Sequence, residues 1–338
     1  MDIDHEDEAV LVEIRDLRDS LAESLRTPRR WTTGMRRTTQ ARALQGSNTI
    51  EGYTVSDQDA VDAQTLRSLH FMLLEHDLSV DPGRIRPGPI DVRDESAGRT
   101  VYEGPPADTL DDLIDTLVTS LRHDGADTLV DAAMAHLKLV MIHPFKDGNG
   151  RMARALQTLV LAQDHVLEPT FSSIEEWLGS NTDDYYRVLA MTGEGRWSPD
   201  NDARLWVQFN LRAHHMQAQT LRRRFDEADR ILRSLDDLIL QHGLPGRTVD
   251  ALFDAVLGLR VTRPAYVKQS QIEEQTASRD LRRLVESDPL EAVGNTRGRH
   301  YLASTPLRAL GQEMRSTRAS LVDPYPWLRD DLRRRARR

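Results

Sequence analysis

Twelve consecutive residues hold most of the side chains in this chain that could do chemistry together: His143-Pro144-Phe145-Lys146-Asp147-Gly148-Asn149-Gly150-Arg151-Met152-Ala153-Arg154. A histidine titrates near neutrality, so His143 can take a proton from an attacking hydroxyl. Asp147 offers a hard oxygen ligand for a magnesium ion that bridges phosphate oxygens. Gly148 and Gly150 lack a Cβ, so the backbone can turn sharply and approach a ligand closely. Asn149 can donate a hydrogen bond or cap a helix. Arg151 and Arg154 stand three apart and share a helix face, where two guanidiniums can grip successive phosphates. The combination points to proton transfer beside a polyphosphate.

The flanking sequence says how these groups are positioned. Leu129, Val130, Ala133, Met134, Leu137, Val140 and Met141 recur at helical spacing before the run. Ala155, Leu156, Leu159, Val160 and Ala162 do so after it. The run is therefore a loop between two buried helices, ending at the N-terminus of the second. The first N–H groups of that helix have no intrahelical partner and its dipole favours an anion there. Taken singly, each residue has a bland reading: a structural histidine, surface arginines, a Gly-Asn-Gly turn. Their joint occurrence in one short loop between two apolar helices does not.

The pattern His-Pro-Phe-x-Asp-Gly-Asn-Gly-Arg-x-x-Arg resembles the signature of Fic domains at every defining position. Most Fic proteins are adenylyltransferases, which move AMP from ATP to a Ser, Thr or Tyr hydroxyl of a protein. The resemblance implies His143 as general base and Asp147 as magnesium ligand. It makes Gly148, Asn149 and Gly150 the anion hole, with Arg151 and Arg154 on the β- and γ-phosphates. Met152 and Ala153, between those arginines, complete the nucleotide-binding stretch, and Phe145 becomes a buried anchor. Doc-type kinases carry Lys where this chain has Gly150, which favours AMP transfer over phosphate transfer.

Composition sets outer bounds. The 338 residues suffice for two or three domains, and 39% apolar with 29% charged residues is ordinary for a globular protein. No apolar run approaches the roughly 20 residues of a membrane helix. There are no cysteines, so disulfides and thiolate metal sites are excluded. The N-terminus is acidic at Asp2, Asp4, Glu6, Asp7 and Glu8, the opposite of a secretory signal, and a cytoplasmic location is expected. A net charge of −9 argues against wholesale coating of nucleic acid, though a local basic face stays open.

The first 45 residues predict a solvated helical hairpin, with Leu11, Ile14, Leu17, Leu21 and Leu25 at spacings of three and four. Ser47-Asn48-Thr49-Ile50-Glu51-Gly52 by itself suggests an N-cap and first helical turn. With the loop downstream it resembles the inhibitory helix of second-class Fic proteins, through Ser47, Glu51 and Gly52. There Glu51 would pair with Arg154 in place of the γ-phosphate. A helix is predicted over Asp59 to Asp77. The Pro- and Gly-rich stretch from Arg84 to Tyr102 predicts a β-hairpin. By resemblance that hairpin is the flap that aligns the target by strand addition, with Ile90, Asp91 and Val92 as contacts.

Tyr185 and Tyr186 lie on a further helical pattern. Adjacent helical positions face about 100° apart, so one can face the core and the other the site, or both can be core or rim; the resemblance places both against adenine and ribose. His214 and His215, on a long helical stretch from Ala203 to His242, are read as surface residues. Residues 247–303 predict three helices and a β-hairpin, a winged-helix outline. Arg279, Arg282, Arg283, Arg297, Arg299 and His300 would face DNA, but Glu273, Glu274, Asp280 and Glu286 dilute the patch. Protein docking or dimerisation is favoured over DNA as its role. The Arg-rich stretch from Arg329 to Arg338 is expected to fray.

These readings converge on a mainly α protein: a Fic helical core with a β-hairpin flap, and a C-terminal winged helix-turn-helix domain. The expected divisions are an N-terminal helical region (1–80) with the inhibitory helix at about 44–56, a catalytic domain (81–242), a winged-helix domain (247–305) and a tail (306–338). The expected activity is AMP transfer from ATP with Mg2+ to a protein hydroxyl, the chain itself included as a target, without a membrane. A homodimer and DNA binding stay open. So do two other activities, removal of AMP at the same site and a DNA-binding regulator that senses nucleotide without turnover.

Overall fold

Acidic residues in a first turn complement the helix dipole, and α1 (His5–Arg26) opens with Glu6, Asp7 and Glu8. It is followed by α2 (Thr32–Gly46). The computed structural model of the protein describes residues 3–26, 31–46, 61–94, 98–121, 127–163, 165–295 and 298–335. The chain forms two compact units. One comprises Met1–Ala22, Thr39–Gln219 and Val322–Arg338; the other comprises Glu23–Thr38 and Thr220–Leu321.

In the first unit, α3 (Ala63–Leu74) starts where the Asp62 carboxylate accepts from the Thr65 N–H, a side-chain N-cap. Two strands, β1 (Asp91–Asp94) and β2 (Arg99–Glu103), pair antiparallel within the stretch predicted to be a hairpin. The helices α4 (Leu110–Ser120), α5 (Thr128–Ile142) and α6 (Asn149–Ala162) follow. Asp127 caps α5 by accepting from the Leu129 N–H. Then come α7 (Pro169–Ser172), α8 (Glu175–Ser180), α9 (Thr182–Gly193) and the long α10 (Arg204–Gln241), which contributes residues to both units.

Leu117, Ala132, Leu139, Leu156, Trp206 and Phe209 are buried together, so α5 and α6, the helices that bracket the reactive loop, lie at the centre of this core. The α1 face is not solvated as predicted: Val10, Leu11, Ile14 and Leu21 are buried. His214 and His215 are buried too, a correction to their reading as surface. Each has a hydrogen-bond partner, Gln157 for His214 and Glu13 with Gln219 for His215, which is how a buried imidazole is tolerated.

The second unit contains α11 (Val249–Val256), α12 (Arg263–Ser270) and α13 (Glu274–Glu286). An antiparallel hairpin of β3 (Leu290–Val293) and β4 (His300–Ala303) follows, then α14 (Thr305–Ser316). Val261 exchanges two backbone hydrogen bonds with Tyr301 and extends the hairpin by one bridge. Leu252, Phe253, Tyr266, Leu281, Leu284 and Leu290 form the interior. Buried Asp280 holds Arg247 at 2.6 and 2.9 Å and accepts from the Tyr266 hydroxyl at 3.1 Å, tying three helical segments together.

The last helix, α15 (Leu328–Arg335), belongs to the first unit. It does not fray as expected. Leu328 and Leu332 stand four apart and are fully buried with Tyr325, while Arg329 pairs with buried Asp184 at 3.1 Å. An arginine-rich count conceals a short apolar stripe.

Candidate active site

The reactive run folds as a loop locked from three sides. Asn149 acts first. Its Oδ1 accepts from the Phe145 N–H at 3.0 Å and its Nδ2 donates to the Phe145 carbonyl at 2.8 Å. That closes the loop into a ring of side-chain-to-backbone bonds. Gly148 caps α6 with φ +76°, a left-handed conformation that glycine adopts without strain. A Cβ there would lie 2.6 Å from Leu74 Cδ1, so two constraints select glycine.

The second lock is His70, which is fully buried on α3. Its ring stacks on Phe145 with centroids 3.7 Å apart and planes within 5°. The Gly83 N–H donates to His70 Nδ1 at 2.8 Å, so Nε2 carries the proton and donates to the Asp147 carbonyl at 2.9 Å. The third lock is Arg86. Its N–H donates to the Pro144 carbonyl at 2.9 Å, and its guanidinium donates to the carbonyls of His143 (2.8 Å), Gly88 and Pro105 (2.7 Å). Ile85 bridges Phe145 beside it. The chain entering the hairpin is thus bonded directly to the loop.

His143 ends α5 in a left-handed conformation, φ 50°. Its Nδ1 lies 3.0 Å from the Val140 carbonyl, so Nδ1 holds the proton and Nε2 carries the lone pair. Burial pushes its pKa below the ordinary histidine value, an effect that outweighs the hydrogen bond to Val140. The imidazole is therefore neutral at pH 7, in the form a general base needs.

Arg151 and Arg154 differ in surroundings. Arg151 is 3.4 Å from Asp147, whose side chain is 58% exposed at the rim. Arg154 is more enclosed: its Nε donates to Glu175 Oε1 at 3.0 Å and lies 2.9 Å from Oε2 in an ion pair, and Glu175 is only 4% exposed. A Cβ on Gly150 would lie 3.5 Å from Arg154 Nη1, which sets that guanidinium beside the glycine loop. Met152 and Ala153 turn their side chains into the core. Among the described residues no group of three or more His, Asp or Glu converges as a metal cage.

The hairpin lies next to this loop. Val92 pairs with Tyr102 and Asp91 with Glu103; Ile90 accepts from the Gly104 N–H at 3.0 Å. The Tyr102 hydroxyl donates to the Met141 carbonyl at 2.7 Å, fixing β2 to the end of α5. Among the described residues β1 pairs with β2 alone. Tyr185 and Tyr186 part company as the helical geometry requires, at 5% and 64% exposed. Ser47, Glu51 and Gly52, and most of the 44–56 helix, lie outside the described residues.

Residues 60–161, which hold α3, the hairpin and the locked loop, match the model of the Fic/DOC family. The chain carries a Fic/DOC domain. The protein adenylyltransferase fic-1 of Caenorhabditis elegans is 33% identical over 111 residues, 31% of this chain and 20% of that one. A probable protein adenylyltransferase of Aquifex aeolicus is 31% identical over 80 residues, 23% of this chain and 25% of its own length. This chain therefore spans a quarter or less of either relative. A Fic family protein from Desulfovibrio desulfuricans shares the fold at TM-score 0.55 and 23% identity, over 90% of this chain and 98% of that one.

Several residues packed around this loop and Arg154 escaped the sequence reading. His70 sits in a helix whose leucines drew attention, and its one polar signal has no partner until Gly83 folds back. Glu175 and Gln157 are ordinary helix residues in sequence; burial makes them notable. At Gly193 a Cβ would meet Met141 and Tyr102 at 3.1 and 3.2 Å.

Proposed function

We propose that this chain is a protein adenylyltransferase that moves AMP from ATP to a Ser, Thr or Tyr hydroxyl of a protein. The observation that carries the reading is the locked loop with a neutral His143 at its edge and two arginines on the following helix. In the proposed step, His143 Nε2 takes the proton of the target hydroxyl. The hydroxyl oxygen attacks the α-phosphorus, forming a new P–O bond. The bond to the bridging oxygen of the β-phosphate breaks, and pyrophosphate leaves with that electron pair. The N–H groups at Gly148, Asn149 and Gly150 face the polyphosphate, with Arg151 and Arg154 on its terminal groups. Asp147, exposed beside Arg151, would hold a magnesium ion, which would neutralise phosphate charge. Tyr186 faces the nucleoside. Ile90, Asp91 and Val92 align the target segment as an added strand.

Glu51 is assigned as a brake, its carboxylate taking the place of the γ-phosphate on Arg154. Residues 247–305 are assigned as a winged helix that docks proteins or a second copy, with DNA the lesser alternative. Run in reverse, the same site would remove AMP, with Glu51 positioning water; the regulator reading leaves it without turnover. Transfer from α-labelled and γ-labelled ATP separates these. Label retained on protein from the α position alone supports the proposal. Label from the γ position would make the enzyme a kinase, and release of AMP from a modified protein without transfer would reverse the direction.

A further inference from the structure

Behind Arg154 runs a chain of buried side chains whose hydrogen-bond direction can be worked out from one end. Asn210 Nδ2 donates to the Trp206 carbonyl at 3.0 Å, so Asn210 Oδ1 is an acceptor. It accepts from Gln157 Nε2 at 3.0 Å, which leaves Gln157 Oε1 as the acceptor for His136 Nδ1–H at 2.6 Å. His136 Nε2 then has only its lone pair, and the Tyr185 hydroxyl, 3.0 Å away, must donate to it. With its proton committed, the Tyr185 oxygen can only accept, and its lone pairs interact favourably with the nearby Arg154 guanidinium. Burial holds His136 neutral, down to about 3, so the direction does not change at working pH. Glu175 meets the same guanidinium at Nε. Its own position is fixed at the start of α8, nearly out of solvent.

We propose that Glu175 and Tyr185 are positioning residues that hold Arg154 in one orientation at the glycine loop, and so set the preference for a nucleotide with terminal phosphates. Tyr185 then serves the arginine and not the adenine, and of the tyrosine pair only Tyr186 is placed for the nucleoside. Preorganisation is the physical gain: a guanidinium already fixed loses little rotamer freedom when a phosphate arrives. The same fixed orientation would serve Glu51. The naming of ATP as ligand rests on the adenylyl-transfer reading; the brace itself does not.

The test measures ATP and AMP binding by calorimetry with magnesium, using full-length wild type, Glu175→Gln, Tyr185→Phe, Arg154→Ala and the two double variants with Arg154→Ala. Tyr185→Phe keeps the buried ring and serves if Glu175→Gln folds poorly. Glu175→Gln and Tyr185→Phe should each cut the preference for ATP over AMP about tenfold, the size of one charge-assisted bond. Neither should matter once Arg154 is alanine, because the losses are not additive. An unchanged preference, or losses that add to that of Arg154→Ala, overturns the proposal. Should wild type bind neither nucleotide, the transfer reading falls, and the brace is judged by the 15Nε–H resonance of Arg154. A slowly exchanging signal that disappears in Glu175→Gln sustains it; the same signal in both proteins sinks it.

Discussion

His143 and Gly148 show how single residues set this site. Removing the imidazole with His143→Ala should lower transfer by roughly 10²–10⁴-fold, the usual worth of a general base, with ATP affinity nearly unchanged. Because burial depresses the pKa of His143, the acid limb of kcat/KM should fall below 6.5, the ordinary histidine value; a limb at or above that value would contradict the assignment. Gly148→Ala meets both a positive φ and Leu74, so it should cost roughly 1–3 kcal/mol in urea unfolding. His143, Asp147, Gly148, Asn149, Gly150, Arg151 and Arg154 were legible in sequence because their chemistry and spacing lie within one loop. Glu175 and His136 were not, because only burial and folding turn an ordinary carboxylate and a helix histidine into partners of Arg154 and Tyr185.

Among the elements, the entry to the β1–β2 hairpin and the loop behave as one piece. Arg86 donates to carbonyls of both, at His143, Gly88 and Pro105. Arg86→Ala should cost on the order of 2–3 kcal/mol, since it strands buried carbonyls. It should also raise KM for the protein target more than for ATP, because the hairpin loses its register with the loop. Equal effects on both KM values would mean that Arg86 only stabilises the fold. The hairpin was legible from its Pro and Gly punctuation, and the helices α5 and α6 from apolar spacing. The tail helix α15 was hidden by its arginines, since Leu328 and Leu332 make a stripe of one turn.

Across the molecule, stability should depend on pH through two buried histidines. His136 and His214 are both held neutral to about 3, while an unfolded histidine ionises near 6.5. Both folded values are depressed, so the unfolded chain binds protons first as pH falls. The stabilisation is complete above 6.5 and shrinks below it, by on the order of 1 kcal/mol per pH unit for each histidine. Urea midpoints at pH 7 and pH 5 measure this, and equal midpoints would show that these imidazoles are not buried neutral. In the second unit, α13 presents Arg279 and Arg282 at its exposed face. Retardation of a DNA duplex that weakens steeply with salt would support a nucleic-acid role; none at low salt leaves docking or dimerisation. The three helices and hairpin of residues 247–303 were legible because they are local, whereas the Arg247–Asp280–Tyr266 tie joins residues far apart in the chain.

If His143 transfers AMP under restraint by Glu51, removing the restraint and then the base has opposite effects. Wild type, Glu51→Gly and Glu51→Gly/His143→Ala are each incubated with α-³²P-ATP, magnesium and lysate, and protein-bound label is counted. Wild type should label weakly, Glu51→Gly strongly and the double variant not at all. Label unchanged or lower in Glu51→Gly, or surviving in the double variant, would contradict it.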